Sequence, residues 1–132
     1  MNALCMGLAG VIWAQLPLSA FTLAWQHSVE KLRWEEDYQL ATDGLVLRGA
    51  RVRGSGAGME IPDDAVLRDG SWEYQPQLPA LQPLRLGRSS TAAVGDYQLC
   101  TEQGCRPLAD WLGPPTEDQP AVELWSCQLP VG

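Results

Sequence analysis

The sequence predicts a single, mainly β domain, built as a small antiparallel β-sandwich or partly open barrel with at most one short helix. Apolar and polar residues alternate with a period of two over several short stretches, as in half-buried strands. Glycine, proline and Asp-Gly turn signals separate these stretches, which is typical of antiparallel architectures. The 132 residues suffice for one core of ordinary size.

The clearest strands follow residue 20. Residues 21–29 alternate and place Trp25 and His27 on the apolar face, and residues 34–40 repeat the pattern. Asp43-Gly44 then predicts a tight hairpin turn into a third strand at 45–53.

Later elements are shorter. Prolines make residues 75–83 an irregular connection, and residues 108–112 predict the single short helix, which Gly113-Pro114-Pro115 stops. Further short strands are predicted at 71–74, 84–86, 96–100 and 122–127.

The first twenty residues predict an export signal. They are uncharged and largely apolar, and they end in small residues at Ser19-Ala20. No basic residue precedes the apolar run, so an uncleaved N-terminal anchor and a buried helix are the alternatives, although Gln15 and Pro17 leave a short span for a bilayer. We therefore expect residues 1–20 to be a signal peptide or anchor, and residues 21–132 to be a periplasmic or secreted β domain.

The net charge of −7 is carried entirely by residues from Glu30 onward. Such a domain repels phosphate backbones and anionic lipid surfaces. We therefore expect no nucleic-acid partner, and membrane contact only through an uncleaved N-terminus.

Three cysteines lie beyond residue 20, and in an oxidising compartment they predict one disulfide and a spare thiol. A Cys105–Cys127 bond is favoured because it closes the longer loop, and a Cys100–Cys105 bond across a hairpin is the alternative. Three cysteines without a nearby histidine fall short of a structural zinc site, so no metal or cofactor is predicted.

The segment from His27 through Ser28 to Glu30 places a base, a hydroxyl and a carboxylate close together. In a strand, His27 and Ser28 point to opposite faces, which disfavours a catalytic pair. His27 is more simply a core histidine paired with Glu36, or with Glu35 as second choice. Such a pair would serve ligand binding if it lined a cleft, and a hydrolase-like enzyme using His27 with a glutamate is a further alternative.

Glycines at 54, 56 and 58, followed by Met59, form a second cluster. A phosphate-binding loop would open a helix, whereas Ile61-Pro62 follows here and the lysine of that motif is absent. Gly54, Gly56 and Gly58 instead predict a bulge or loop, whose N–H groups would suit a carboxylate.

Trp25 to Lys31, Trp34-Glu35-Glu36, Gly54 to Met59 and a C-terminal cysteine segment together resemble the bacterial family called domain of unknown function 1850, over roughly residues 21–129. The resemblance implies a small exported protein that acts near TRAP-type solute transporters of the TAXI group.

The leading hypothesis is therefore a non-enzymatic periplasmic domain that contacts a transporter subunit or its solute-binding protein. The second hypothesis is a small-ligand, anion- or carboxylate-binding domain. The residues that would carry either function are His27, Ser28, Glu30, Trp34, Glu35, Glu36, Gly54, Gly56, Gly58 and Met59.

Overall fold

The computed structural model describes residues 2–26, 33–53, 65–68, 70–75, 78–88, 97–116, 118 and 120–129. These residues form strands and one four-residue helix. The elements are β1 Asn2–Leu8, β2 Val11–Leu16, β3 Ala20–Gln26, β4 Arg33–Ala41, β5 Gly44–Arg53, β6 Val66–Arg68, β7 Ser71–Tyr74, β8 Leu84–Gly87, β9 Gln98–Thr101, β10 Gly104–Pro107, α1 Ala109–Leu112 and β11 Ala121–Gln128.

The strands form two antiparallel sheets. The small sheet has the order β2-β1-β11-β8, and the large sheet has the order β10-β9-β3-β4-β5-β7-β6. One hydrophobic core lies between them and takes Leu4, Met6 and Leu124 from the small sheet. The large sheet contributes alternate residues of its inner strands to the same core, among them Phe21 and Leu23 of β3 and Tyr38 and Leu40 of β4. The predicted small β-sandwich is confirmed.

The hairpin between β4 and β5 also agrees with its prediction. Gly44 has φ +151, and a Cβ atom there would lie 2.7 Å from the carbonyl oxygen of Leu81. Leu45 and Leu81 exchange two backbone hydrogen bonds of 2.8 Å at this point. Glycine is therefore required both for the turn and for the approach of the 78–83 segment.

The predicted helix is confirmed as α1, and its last turn ends at Gly113, whose N–H donates to the carbonyl of Ala109. The short strands β6 and β10 were not predicted. No helix within the described ranges has the length and apolar character needed to cross a membrane.

The N-terminal segment differs from its prediction. Residues 2–8 and 11–16 form a β-hairpin, and β1 pairs with both β2 and β11 in the small sheet. Leu4 and Met6 are fully buried in the core. An uncharged apolar run suits a strand buried on both faces as well as it suits an export signal, so hydrophobicity does not distinguish the two. Cleavage after residue 20 stays a prediction, and it is incompatible with this hairpin in one mature molecule.

The structure also corrects the favoured Cys105–Cys127 bond. Cys127 bonds to Cys5, its near neighbour across the β1–β11 pair, with the Cα atoms 6.0 Å apart. Cys105 bonds to Cys100, directly opposite on the β9–β10 hairpin. Loop entropy favoured the longer bridge, but strand register decides which sulfurs meet. Cys5 lies within the segment that the sequence predicts to be an export signal, so the three later cysteines alone do not predict its bond to Cys127.

Candidate functional site

Aromatic residues form a row across one end of the large sheet. Trp25 lies opposite Trp34, which continues through Val52 to Trp72 in direct cross-strand register. The indoles of Trp25 and Trp34 are stacked, with centroids 6.2 Å apart and an interplanar angle of 6°. Tyr97, next to β9, packs against Trp25 at 5.6 Å. Residues in register share a face, so the row lies on the core side of the sheet.

Glu36 lies one step further along the strands, on the same face. Its cross-strand neighbours are Leu23 and Ala50, and Ala50 lies opposite Tyr74. On the described core-facing positions of β3, β4 and β5, Glu36 is the one charged residue. We call Glu36 together with Trp25, Trp34, Tyr74 and Tyr97 the Glu36 site. All five residues are half-buried.

The electrostatics of this site follow from burial. Desolvation raises the pKa of Glu36 above its usual value, and a hydrogen bond from the Tyr38 hydroxyl, 3.0 Å from Oε1, opposes this in part. Desolvation and then the Glu36 charge raise the pKa values of Tyr38, Tyr74 and Tyr97. The three hydroxyls therefore lie within electrostatic range of the carboxylate and stay protonated. No basic side chain of the described residues forms an ion pair with Glu36.

The structure separates the two glutamates that the sequence grouped together. Trp34 and Glu36 lie on the core face, whereas Glu35 lies on the opposite, outer face of β4. There Glu35 forms ion pairs with Arg33 and Arg51, with nitrogen–oxygen distances of 3.5 Å and 3.4 Å. Glu35 is thus part of a solvent-facing charge network, and Glu36 is the glutamate that remains available for a site.

Most of the other predicted site residues lie outside the described residues. These are His27, Ser28, Glu30, Gly54, Gly56, Gly58 and Met59. The His27–glutamate pair and the carboxylate-binding glycine loop therefore stay predictions. The flanking residues Gln26, Arg33 and Arg53 are in register with one another beside the aromatic row.

The outer face of the same strands carries a tightly paired network. Arg51 donates to both oxygens of Asp37, at 2.5 and 3.0 Å, and Thr22 Oγ1 lies 2.6 Å from Asp37 Oδ1. Burial would raise the pKa of Asp37, but the hydrogen bonds from Arg51 and Thr22 and the charge of Arg51 lower it. The charges of Asp37 and Arg51 on this face are neutralised by each other, whereas Glu36 forms no ion pair with a described residue.

Two clefts are next to this network. One, of about 440 Å³, is lined by Arg48, Arg51 and Arg68, which makes it the natural place to look for an anion site. Each of these guanidinium groups already has an acceptor, which is Gln39 for Arg48, Asp37 for Arg51 and Glu73 for Arg68. The other, of about 870 Å³, runs past Thr22, Asp37 and the β9–β10 hairpin. It is lined by two arginines: Arg48 is bonded to Gln39, and Arg106 is paired with Asp110 and lies over the ring of Trp111.

The sequence does not show which tryptophans pack in the core and which face a site. It also does not show that Tyr74 and Tyr97 lie on the same side as Glu36. The pairing of Trp25 with Trp34 can be predicted from strand register, because β3 and β4 form a hairpin that places these two residues opposite each other. Tyr74 lies on β7 and Tyr97 lies beside β9. The local sequence pattern does not show where β7 and β9 pair in the sheet. Within the described ranges, no group of three or more histidine, cysteine or acidic residues is placed to hold a metal ion.

The fold and the site together define a small, disulfide-bonded β-sandwich whose large sheet carries an aromatic row with one carboxylate, Glu36, on its core face. A family model described as "Domain of unknown function (DUF1850)" matches residues 21–108, and the chain belongs to this family. The match runs from β3 to β10, so it includes the whole Glu36 site, while β1, β2 and β11 lie outside it. No curated protein and no solved structure matches the chain significantly.

Proposed function

We propose that this chain is a non-enzymatic, exported accessory domain that assists a TRAP-type solute transporter by contacting one of its subunits or its solute-binding protein. Two disulfides in a small domain are consistent with a periplasmic or extracellular location. The transporter setting is what the family resemblance implies. The observation that carries the contact proposal is an apolar stripe at the edge of the large sheet.

The stripe begins in the aromatic row and reaches solvent at β6. Leu67 lies opposite Trp72, which is in register with Val52 and Trp34. Leu67 is 57% exposed on the end strand of the sheet, and Val66, 50% exposed, lies on the opposite face of the same strand. Exposed apolar residues on an end strand mark surfaces where a partner strand or apolar segment docks.

Charge narrows the chemistry of the partner. The chain carries a net charge of −7, so a basic partner surface is favoured and an acidic one is repelled. We therefore expect the contacting segment to combine an apolar strand or loop with flanking lysine or arginine.

Site-specific photo-crosslinking tests this proposal. The full chain carries a photoreactive amino acid at position 67 and is produced with the transporter subunits and solute-binding protein of the same bacterium. We expect a covalent adduct with one of these proteins after irradiation. The matched control carries the same amino acid at position 48, which is exposed on the outer face of the same sheet.

An adduct at position 67 and none at position 48 supports the proposal. Equal adducts at both positions, or no adduct with any transporter protein, would contradict it.

A second candidate function is small-ligand binding at the Glu36 site. It is favoured by a specific observation, the half-buried Glu36 carboxylate on the same sheet face as the aromatic row. Convergent polar and aromatic groups of this kind are typical of binding sites. The anion-binding version relied on the loop at 54–59, and the hydrolase-like alternative relied on His27. Both versions depend on residues outside the described ranges, whereas the described part of the site carries a negative charge.

A further inference from the structure

We propose that the Glu36 site binds an organic ammonium cation, with the Glu36 carboxylate as its counter-ion and the rings of Trp25, Trp34 and Tyr97 as its walls. This inference rests on the small-ligand function proposed above and does not depend on a transporter partner. It is carried by the position of one carboxylate beside a row of aromatic residues on the same face of the sheet.

The aromatic rings favour a positive charge. The face of an aromatic ring carries negative electrostatic potential, and tryptophan attracts cations most strongly. Trp25 and Trp34 are stacked with nearly parallel planes, and Tyr97 is tilted by 55° against Trp25. Tyr97 therefore stands at an angle to the stacked indoles, so ring faces of two orientations adjoin at this end of the sheet.

The carboxylate sets the sign of the ligand charge. Glu36 is half-buried, accepts a hydrogen bond from the Tyr38 hydroxyl and forms no ion pair with a basic residue in the part of the chain that the structure describes. Leaving such a charge unpaired costs free energy, and a cation recovers that cost whereas an anion increases it.

An organic cation suits the site better than a metal ion. Hard metal ions take several oxygen ligands, of which Glu36 is the one described carboxylate on this face of the central strands. An ammonium group carrying methyl or methylene substituents instead gains from apolar ring faces and from a single counter-charge. A quaternary ammonium is the simplest ligand of this class.

The pH dependence of binding follows from the groups that face Glu36. Among the described residues, these are Tyr38 on its own strand, Tyr74 on β7 and Tyr97 beside β9. Their pKa values are raised, so they remain neutral while Glu36 titrates. Affinity for a permanently charged ligand should therefore fall in acid, from a pH above the usual carboxyl value because burial raises the pKa of Glu36.

The test compares three small probes on the full, oxidised chain by tryptophan fluorescence and calorimetry. The probes are choline, its neutral isostere 3,3-dimethylbutan-1-ol, and acetate. We expect choline to bind and the neutral isostere to bind at least about tenfold more weakly, since a desolvated cation–π contact plus a counter-charge contributes a factor of this order. Acetate should not bind.

Substitutions then locate the site. We expect Glu36→Gln to weaken choline binding about tenfold or more, and Trp34→Leu to weaken it about fivefold. The matched control is Glu35→Gln, which removes the adjacent carboxylate from the opposite face and should leave the affinity within about twofold of the parent chain. Circular dichroism of each variant verifies that it is folded, and the acid-induced loss of affinity of the parent chain provides a readout that needs no variant.

The outcomes separate the two proposals. Equal binding of choline and its isostere, unchanged affinity in the Glu36→Gln variant, or equal losses in the Glu35→Gln and Glu36→Gln variants would overturn the inference. Binding of acetate alone would overturn the cation inference but leave the small-ligand function standing. Failure of all three probes would remove the cation inference, while another ligand class would still be open to direct screening of the Glu36 site.

Discussion

Glu36 and Glu35 are adjacent in sequence but lie on opposite faces of β4, in different electrostatic surroundings. Glu35 faces outward between two arginines, where solvent and ion pairs stabilise its charge. Glu36 faces the aromatic rings, where burial disfavours its charge and raises its pKa. Burial of this carboxylate costs free energy, which a cation bound at Glu36 would offset.

The Glu36→Gln variant should be more stable than the parent chain at neutral pH, by about 0.5 kcal/mol or more. Glutamine keeps an acceptor for the Tyr38 hydroxyl and removes the half-buried charge. The measurement is urea unfolding followed by tryptophan fluorescence, with Glu35→Gln as the control. That control should lose a small amount of stability, since it breaks two ion pairs.

The raised pKa of Glu36 also predicts how the difference in unfolding free energy between the Glu36→Gln variant and the parent chain changes with pH. The pKa of Glu36 is raised in the folded state, so the folded chain binds its proton more tightly than the unfolded chain. The Glu36 contribution to stability is therefore fully present below the ordinary carboxyl pKa and is lost as pH rises through the raised value. The difference in unfolding free energy between variant and parent should grow over that window. A difference that is constant with pH would contradict the assignment.

Among the elements, those with a clean period of two were predictable from sequence. The strands β3 and β4 follow the alternation of apolar residues throughout, and β5 follows it on either side of a bulge after Leu47; the Asp43-Gly44 turn joins β4 to β5. The strands β6 and β10 have three and four residues, which is too short to show a period. The β1–β2 hairpin was missed for a different reason. Its first strand, β1, is buried on both faces, so its sequence shows no alternation of apolar and polar residues and has the composition of an export signal.

The two disulfides should differ in their effect on stability. Cys5–Cys127 spans 122 residues and Cys100–Cys105 spans five, so the first constrains the unfolded chain much more. In the chain-entropy model, replacing both members of the first pair by alanine costs about 5 kcal/mol, and of the second about 2 kcal/mol.

Urea unfolding of the two double-alanine variants measures this difference. Equal losses for both pairs, or peptide mapping that finds Cys105 bonded to Cys127, would contradict the pairing described above.

At the scale of the whole molecule, the family match covers the large sheet but only one strand of the small sheet. Residues 21–108 contain the entire large sheet and β8, whereas β1, β2 and β11 complete the small sheet from outside the match. The candidate site could be predicted in part, because Trp34 and Glu36 are found on one face as the alternation required. Tyr74 and Tyr97 could not be predicted, since their place beside Glu36 depends on sheet order and on non-local pairing.

The N-terminal hairpin provides a test at this scale. A chain that begins at Phe21 lacks Leu4 and Met6 from the core and the partner of Cys127. We expect this truncated chain to be unfolded, because the loss approaches the whole stability of a small domain. Circular dichroism checks folding, and intact mass of the full chain after export checks whether residues 1–20 remain. A stable, folded chain starting at Phe21 would instead favour the cleaved signal.

The most direct test of the central claim, a cation site at Glu36, is the set of NMR contacts between choline and the full chain. We predict nuclear Overhauser effects from the choline methyl protons to ring protons of Trp25, Trp34 and Tyr97, and their loss in the Glu36→Gln variant. Contacts confined to other residues, such as those around Arg48 and Arg68 on the outer face, or contacts that persist in the variant, would contradict the claim.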